Sequence, residues 1–214
     1  MKDRGFAAVG IAAFVLVMGG TAIAAVGGNT HMITAGSSTA AIAKAVGSTA
    51  PTATWIGAYL ELIGLAATLV FGLWLCARLG SGIWTTIGQS AATANAALGF
   101  VSLAVMDTVS YRAGHGIGIQ TAKSLVTLEE AAFVGSWFLV ALFLLAAGVL
   151  ALGSGYRRLG WTALAIVAYT LVVTPISFDG VGQFSQMFAA LWTLGASIVF
   201  LRRAPRGVAV PVPA

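Results

Sequence analysis

Charge is what this chain has least of. Only 8% of its 214 residues are Asp, Glu, Lys or Arg, where a soluble domain carries about 25% to keep its surface wet. That shortage excludes an ordinary water-soluble globule of this length. Cysteine is almost missing as well. The single Cys76 rules out an intramolecular disulfide and reads as a small packing residue. Two histidines, His31 and His115, are too few for a membrane hydrolase built on three. The HExxH and H-x-x-x-H spacings, a Gly-rich phosphate loop and a G-x-S-x-G elbow are all absent from the sequence.

What is present is apolar. Hydrophobic residues make up 59% of the chain and the mean hydropathy is +0.96. Runs of the roughly 20 apolar residues that cross a bilayer lie near 6–26, 55–77, 83–106, 131–153, 159–177 and 183–201. None holds a Lys or Arg, and only Glu61 puts a formal charge well inside one. Gln89 and Asn95 interrupt the third run, and Pro175 falls near the end of the fifth. Unpaired backbone is costly in lipid, and short loops join antiparallel neighbours. The fold class predicted is therefore all-α: a polytopic membrane protein with a six-transmembrane-helix bundle. One membrane domain over 1–203 is followed by a Pro-punctuated, disordered cytoplasmic tail at 204–214.

Orientation follows from where Lys and Arg fall. With a cytoplasmic N-terminus, Lys2, Arg4, Arg78, Arg157, Arg158, Arg202, Arg203 and Arg206 are inside, and Lys44, Arg112 and Lys123 are outside. Eight against three places both termini in the cytoplasm. The acids sort the other way: Asp3 alone is inside, while Glu61, Asp107, Glu129, Glu130 and Asp179 are on the outer side with both histidines. The pI of 9.9 is then no nucleic-acid signal. It reflects an inner rim of Arg157, Arg158, Arg202, Arg203 and Arg206 set against anionic headgroups. The opening "MKDRGFAAVGIAAFVLVMGGTAIAAVGG" has the basic start and A-x-A-like "AIA" of a signal peptide. Its apolar run of about 20 residues exceeds the usual 7–15 residue signal core, however, and favours a retained helix.

Along the chain, 27–54 is rich in Gly, Ser, Thr and Ala, and "STAAIAKAVG" within it suits a short surface helix with Lys44 towards water. "GLWLCARLGSGIW" at 72–84 and "GVLALGSGYRRLGW" at 148–161 echo each other, through a repeated hairpin or through shared turn chemistry. The third run is dominated by small residues, which allow close backbone approach; it is expected to be the central, least lipid-exposed helix. Thr86, Gln89, Ser90 and Thr93 share one of its faces, with Asn95 and Ser102 roughly opposite. Interhelical hydrogen bonding is the expected use of these groups, ahead of a solute pathway.

The acids carry the sharper hypotheses. Glu61 is six residues beyond Trp55, or ~9 Å deeper at the helical rise. An acid in a span costs up to ~3 kcal/mol, so it should face the bundle interior, towards the third, fourth or fifth span. There it serves either as a buried hydrogen-bonding group or as a proton or cation site. "TLEE" at 127–130 fits a capping box opening the fourth span, with Thr127 as N-cap and Glu130 reaching back. Asp179 stands in the turn signal "FDG", and Asp107 follows the third span. Together Glu61, Asp107, His115, Glu130 and Asp179 form a candidate outer polar pocket. Their spacing matches no metal motif, and the residues call for no catalytic group, metal or cofactor.

Three segments, "YLELIGLAATLVFGLWLCARL" (59–79), "AAFVGSWFLVALFLLAAGVLALGSGYRRLGW" (131–161) and "LWTLGASIVFLRR" (191–203), resemble a group of small bacterial six-helix membrane proteins catalogued as a domain of unknown function. "YRRLGW" is the most distinctive piece, and the N-terminal loop matches less clearly. The resemblance implies a bacterial cytoplasmic-membrane protein and carries over no catalytic residue. The function expected first is a non-enzymatic membrane protein that packs with, senses or supports a partner. A small proton- or cation-linked carrier using Glu61 comes next, and an enzyme acting on lipid from the outer face comes last.

Overall fold

A computed structural model describes residues 2–27, 33–173 and 184–202. His31, Thr174, Pro175, Asp179, Arg203, Arg206 and the expected tail at 204–214 lie outside the described residues. Among the described residues every regular element is an α-helix: α1 (Lys2–Gly27), α2 (Thr39–Val46), α3 (Thr52–Leu79), α4 (Ile83–Arg112), α5 (Ile119–Gly153), α6 (Arg157–Val173) and α7 (Phe184–Arg202). Five of them, α1, α3, α4, α5 and α7, are long and apolar enough to cross a membrane. This is the architecture of a multi-pass membrane protein, and its exterior agrees. Val15 (58%), Ile63 (53%) and Val172 (61%) stand exposed along the helices, as lipid-facing side chains do. The described part of α6 is 17 residues, about 25 Å at the helical rise.

Apart from short α2, each helix packs on the next in a closed ring, α1–α3–α4–α5–α6–α7 and back to α1, with α5 reaching across to α3 and α7. The ring is tightest where small residues meet. A Cβ on Gly57 would lie 2.6 Å from the Ala24 amide nitrogen, and one on Gly20 would lie 2.8 Å from the Gly57 carbonyl oxygen. The backbones of α1 and α3 therefore touch, in the manner of small-residue helix pairs in membranes. A core of Phe71, Leu75, Leu144, Ala163 and Trp192 fills the side of the ring where α5, α6 and α7 meet α3.

The helix expected at the centre is not the one found there. Among the described residues the third span, α4, touches only α2, α3 and α5, whereas α5 packs against five other helices. Buried residues on α4 are confined to one stripe that includes Gly88, Ala92, Ala96 and Ser102, and Thr86, Ser90 and Thr93 are exposed. Small side chains let α4 lie close to α5, but closeness to one partner is not burial on all sides.

Two boundaries also move outward. The third and fourth spans, expected at 83–106 and 131–153, belong to helices of 30 and 35 residues, about 45 and 52 Å long against a ~30 Å hydrocarbon core. Asp107 therefore sits on α4, and the segment read as an outer loop shrinks to 113–118. The expected capping box is not formed. Thr127 lies within α5, where its hydroxyl donates to the Lys123 carbonyl at 2.9 Å, and Gly118 stands at the N-cap. The physical cause is packing beyond the membrane. Val109 and Ala113 of the α4 end, Ala122 and Val126 of α5, and Ile42, Ala45 and Val46 of α2 close a small hydrophobic cluster. That burial extends both helices past the apolar runs. Helix α2 forms where "STAAIAKAVG" placed it, with the Ser38 side chain accepting from the Ala41 amide and Lys44 exposed.

The echoed turns share one construction. Both are Leu-Gly-Ser-Gly, and the last glycine of each, Gly82 (φ 98°) and Gly155 (φ 80°), has the positive φ that favours glycine. The two turns also meet, because the Ser154 hydroxyl donates to the Leu79 carbonyl. Nearby, Arg78 on α3 pairs with Asp3 on α1 at 3.1 Å. One end of the bundle thus gathers Arg4, Arg78, Arg157, Arg158 and Arg202, all exposed, while the opposite end holds Asp107, Glu129 and Glu130.

Candidate functional site

The acidic end decides whether the candidate residues form one site. Glu61, half-buried on α3, faces α1. Room for it comes from Gly20, whose absent side chain would lie 2.8 Å from the Glu61 Cγ. Thr21 beside it donates its hydroxyl to the Val17 carbonyl of its own helix at 3.0 Å, and Asp107 is half-buried on α4. The Glu61 side chain does point into the protein, as expected, but it packs on the first span rather than on the third, fourth or fifth.

The other acids tie helices and loop together. Glu129 accepts a 2.8 Å hydrogen bond from the Ser102 hydroxyl, joining α5 to α4. Glu130 accepts from the Ala35 amide at 2.7 Å, holding the stretch before α2 against α5. His115 is exposed at the α4–α5 turn, stacked on Tyr111 with ring centroids 6.1 Å apart, and its Nδ1 lies 3.0 Å from the Ala113 carbonyl. The hollow that His115 lines is shared with Thr49, Trp55 and Ser110 and includes none of the acids. Of the five residues grouped in the sequence, then, Glu61, Glu130 and His115 have separate surroundings, on α1, on the stretch before α2 and on Tyr111. Asp179 falls outside the described residues. Among the described residues no three His, Cys, Asp or Glu side chains converge as metal ligands.

A second feature lies deeper. Between α1, α3, α4, α5 and α7 there is a cavity of about 170 Å³. Its walls are mainly hydrocarbon and aromatic, with Phe14, Val17, Leu65, Leu69, Val140 and Phe143 among them. Four polar residues, Thr68, Asn95, Gln186 and Thr193, also face it, and among the described residues no charged side chain does. Glu61 is one helical turn from Leu65 on α3 but is not part of the lining. Asn95 drew attention in the sequence as an amide in a small-residue run; Gln186 did not. The signal for Gln186 was there, as an amide inside the last apolar run.

Polar groups on the spans are mostly bonded within the protein. Gln89 donates from Nε2 to the Leu73 carbonyl of α3 at 3.2 Å, an interhelical bond of the expected kind. Thr86 and Thr93 instead donate back to carbonyls of their own chain, Gly82 at 3.4 Å and Gln89 at 2.9 Å. Comparison of the chain with protein-family models, with curated proteins and with solved structures finds no match.

Proposed function

We propose that this is a six-span protein of a bacterial cytoplasmic membrane, with both ends in the cytoplasm, and that it acts without catalysis, by packing with, sensing or supporting a partner. The sixth span is α6 together with the chain that follows it. The likeness to small bacterial six-helix membrane proteins rests on the segments quoted above. Support for the orientation comes from the arginines gathered at one end, where Arg157, Arg158 and Arg202 would meet anionic headgroups; Arg203 and Arg206 follow directly in sequence.

The observation that carries the non-catalytic reading is the use of the acids. Glu129 and Glu130 each hold two parts of the chain together, and among the described residues the lining of the interior cavity has no charged side chain. A specific observation favours a second reading, a proton- or cation-linked carrier: Glu61 is a half-buried acid within the apolar helix α3, and Asp107 is half-buried on the neighbouring α4. Proteoliposomes separate the two. On the first reading, proton and sodium flux into vesicles holding the wild-type chain equals that of empty vesicles. Flux above that level that Glu61→Gln abolishes would establish the carrier. Reporter fusions after Arg78, Arg158 and Arg203 should read cytoplasmic and one near Gly116 external; an external reading after Arg158 would overturn the topology.

A further inference from the structure

Among the described residues, a polar group of the central cavity has no hydrogen-bond partner. Thr68 donates to the Gly64 carbonyl at 2.9 Å and Thr193 to the Ala189 carbonyl at 3.0 Å, so both hydroxyls are satisfied by their own helices. Gln186 donates from Nε2 to the Ser136 hydroxyl at 3.2 Å, and Ser136 in turn donates to the Phe133 carbonyl. That chain leaves the Gln186 carbonyl oxygen without a donor among the described residues. The Asn95 side chain makes no hydrogen bond to any described residue, and it lines the cavity from the middle of α4. Asn95 is half-buried, and a polar group left unsatisfied in an apolar setting is costly.

Size and chemistry then restrict what would fit. An apolar cavity of about 150 Å³ stays dry and takes up benzene, so one of about 170 Å³ accommodates a single six-membered ring with a small substituent. Among the described residues the lining has no charged side chain, which selects a neutral molecule. An amide offering both a donor and an acceptor selects one carrying a hydroxyl or carbonyl.

We propose that the cavity between α1, α3, α4, α5 and α7 is a binding site for a small neutral ring-sized molecule bearing a hydroxyl or carbonyl, with Asn95 and Gln186 as the groups that recognise it. The apolar wall supplies affinity and the amides supply selectivity, the usual division in small-molecule sites. This goes beyond the non-catalytic reading without depending on it, since binding is measured without reference to topology or partner.

The test uses the full chain in lipid nanodiscs, with 4-fluorophenol and fluorobenzene as probes followed by fluorine NMR against protein-free nanodiscs. The wild type should bind both, with 4-fluorophenol favoured by about fivefold, the size of one net hydrogen bond. Ala96→Leu, which fills the lining from a buried position, should abolish binding of both probes. Ala190→Leu fills the same lining from α7 and repeats the measurement if Ala96→Leu does not fold. Asn95→Leu, close in volume but without the amide, should keep fluorobenzene and erase the preference for the phenol. The proposal is overturned if wild-type nanodiscs broaden neither probe beyond the lipid background. Unchanged binding in the filled variants, or an undiminished phenol preference in Asn95→Leu, would overturn it equally. Occupancy by water or a lipid chain alone would appear as the first of these results.

Discussion

The Ser102 hydroxyl donates to the Glu129 carboxylate at 2.8 Å across the α4–α5 contact. Ser102 is 7% exposed, so the bond is shielded where the two longest helices run side by side. It converts an acid that would otherwise burden a spanning helix into a fastener between two of them. Interhelical hydrogen bonds of this kind in membranes contribute about 1 kcal/mol. Ser102→Ala and Glu129→Gln should each lower thermal stability in detergent, and a double-mutant cycle should return a coupling of about 1 kcal/mol. A coupling of zero would mean that the bond does not operate in the folded protein.

Two neighbouring residues separate a local motif from the tertiary structure. A capping box would make Thr127 worth about 1 kcal/mol as an N-cap. Inside α5, with its hydroxyl turned back to Lys123, Thr127→Ala should change stability by less than about 0.5 kcal/mol. Glu130→Ala should instead release the Ala35 amide, seen as faster hydrogen exchange confined to the chain before α2. Glu130→Gln, which retains an acceptor, should leave that exchange slow.

Thr127 also marks where the sequence stops being readable. Apolar runs locate spans well because lipid demands the same thing of every residue along them. Beyond the lipid, α4 and α5 continue on a sparse pattern, Val109, Ala113, Ala122 and Val126, that gains meaning only once α2 is folded against it. In isolation "TLEE" satisfies every local rule for a helix start, and "STAAIAKAVG" satisfies the rule for a short helix. Only the second survives, because nothing in the fold competes with it. The small residues of α4 were legible as close packing but not as packing on one side alone. The cavity was not legible at all, since it is a volume left between five helices rather than a property of any one. Asn95 and Gln186 could be seen as isolated amides, yet their facing the same space depends on how α4 and α7 are turned.

Adjacent glycines on α1 offer a sharp contrast. A Cβ at Gly20 would meet the Glu61 Cγ and the Gly57 carbonyl oxygen, each at 2.8 Å, while one at Gly19 would meet nothing within 4 Å. Gly20→Val should force α1 and α3 apart and cost about 2 kcal/mol or more. Gly19→Ala should be neutral or slightly stabilising, because alanine is the better helix former. Thermal unfolding of the two variants in the same detergent checks this; equal effects would place the α1–α3 contact elsewhere.

Glu61 is the residue on which structure and function are hardest to separate, and three substitutions separate them. Its side chain fills the space that Gly20 leaves on α1, beside Thr21, whose hydroxyl donates to the Val17 carbonyl at 3.0 Å. If that packing is its whole role, Glu61→Gln, which keeps length and shape, should hold stability within about 0.5 kcal/mol of the wild type. Glu61→Leu keeps bulk beside Gly20 and removes the carboxyl, so it should be as stable as the wild type or more so, because an acid in a span is costly. Thr21→Val should have little effect, since that hydroxyl is bonded within its own helix. Thermal unfolding in detergent is the measurement. A Glu61→Gln or Glu61→Leu variant that unfolds markedly earlier would show that the carboxyl itself is held by the fold, and the carrier reading would gain what the packing reading lost.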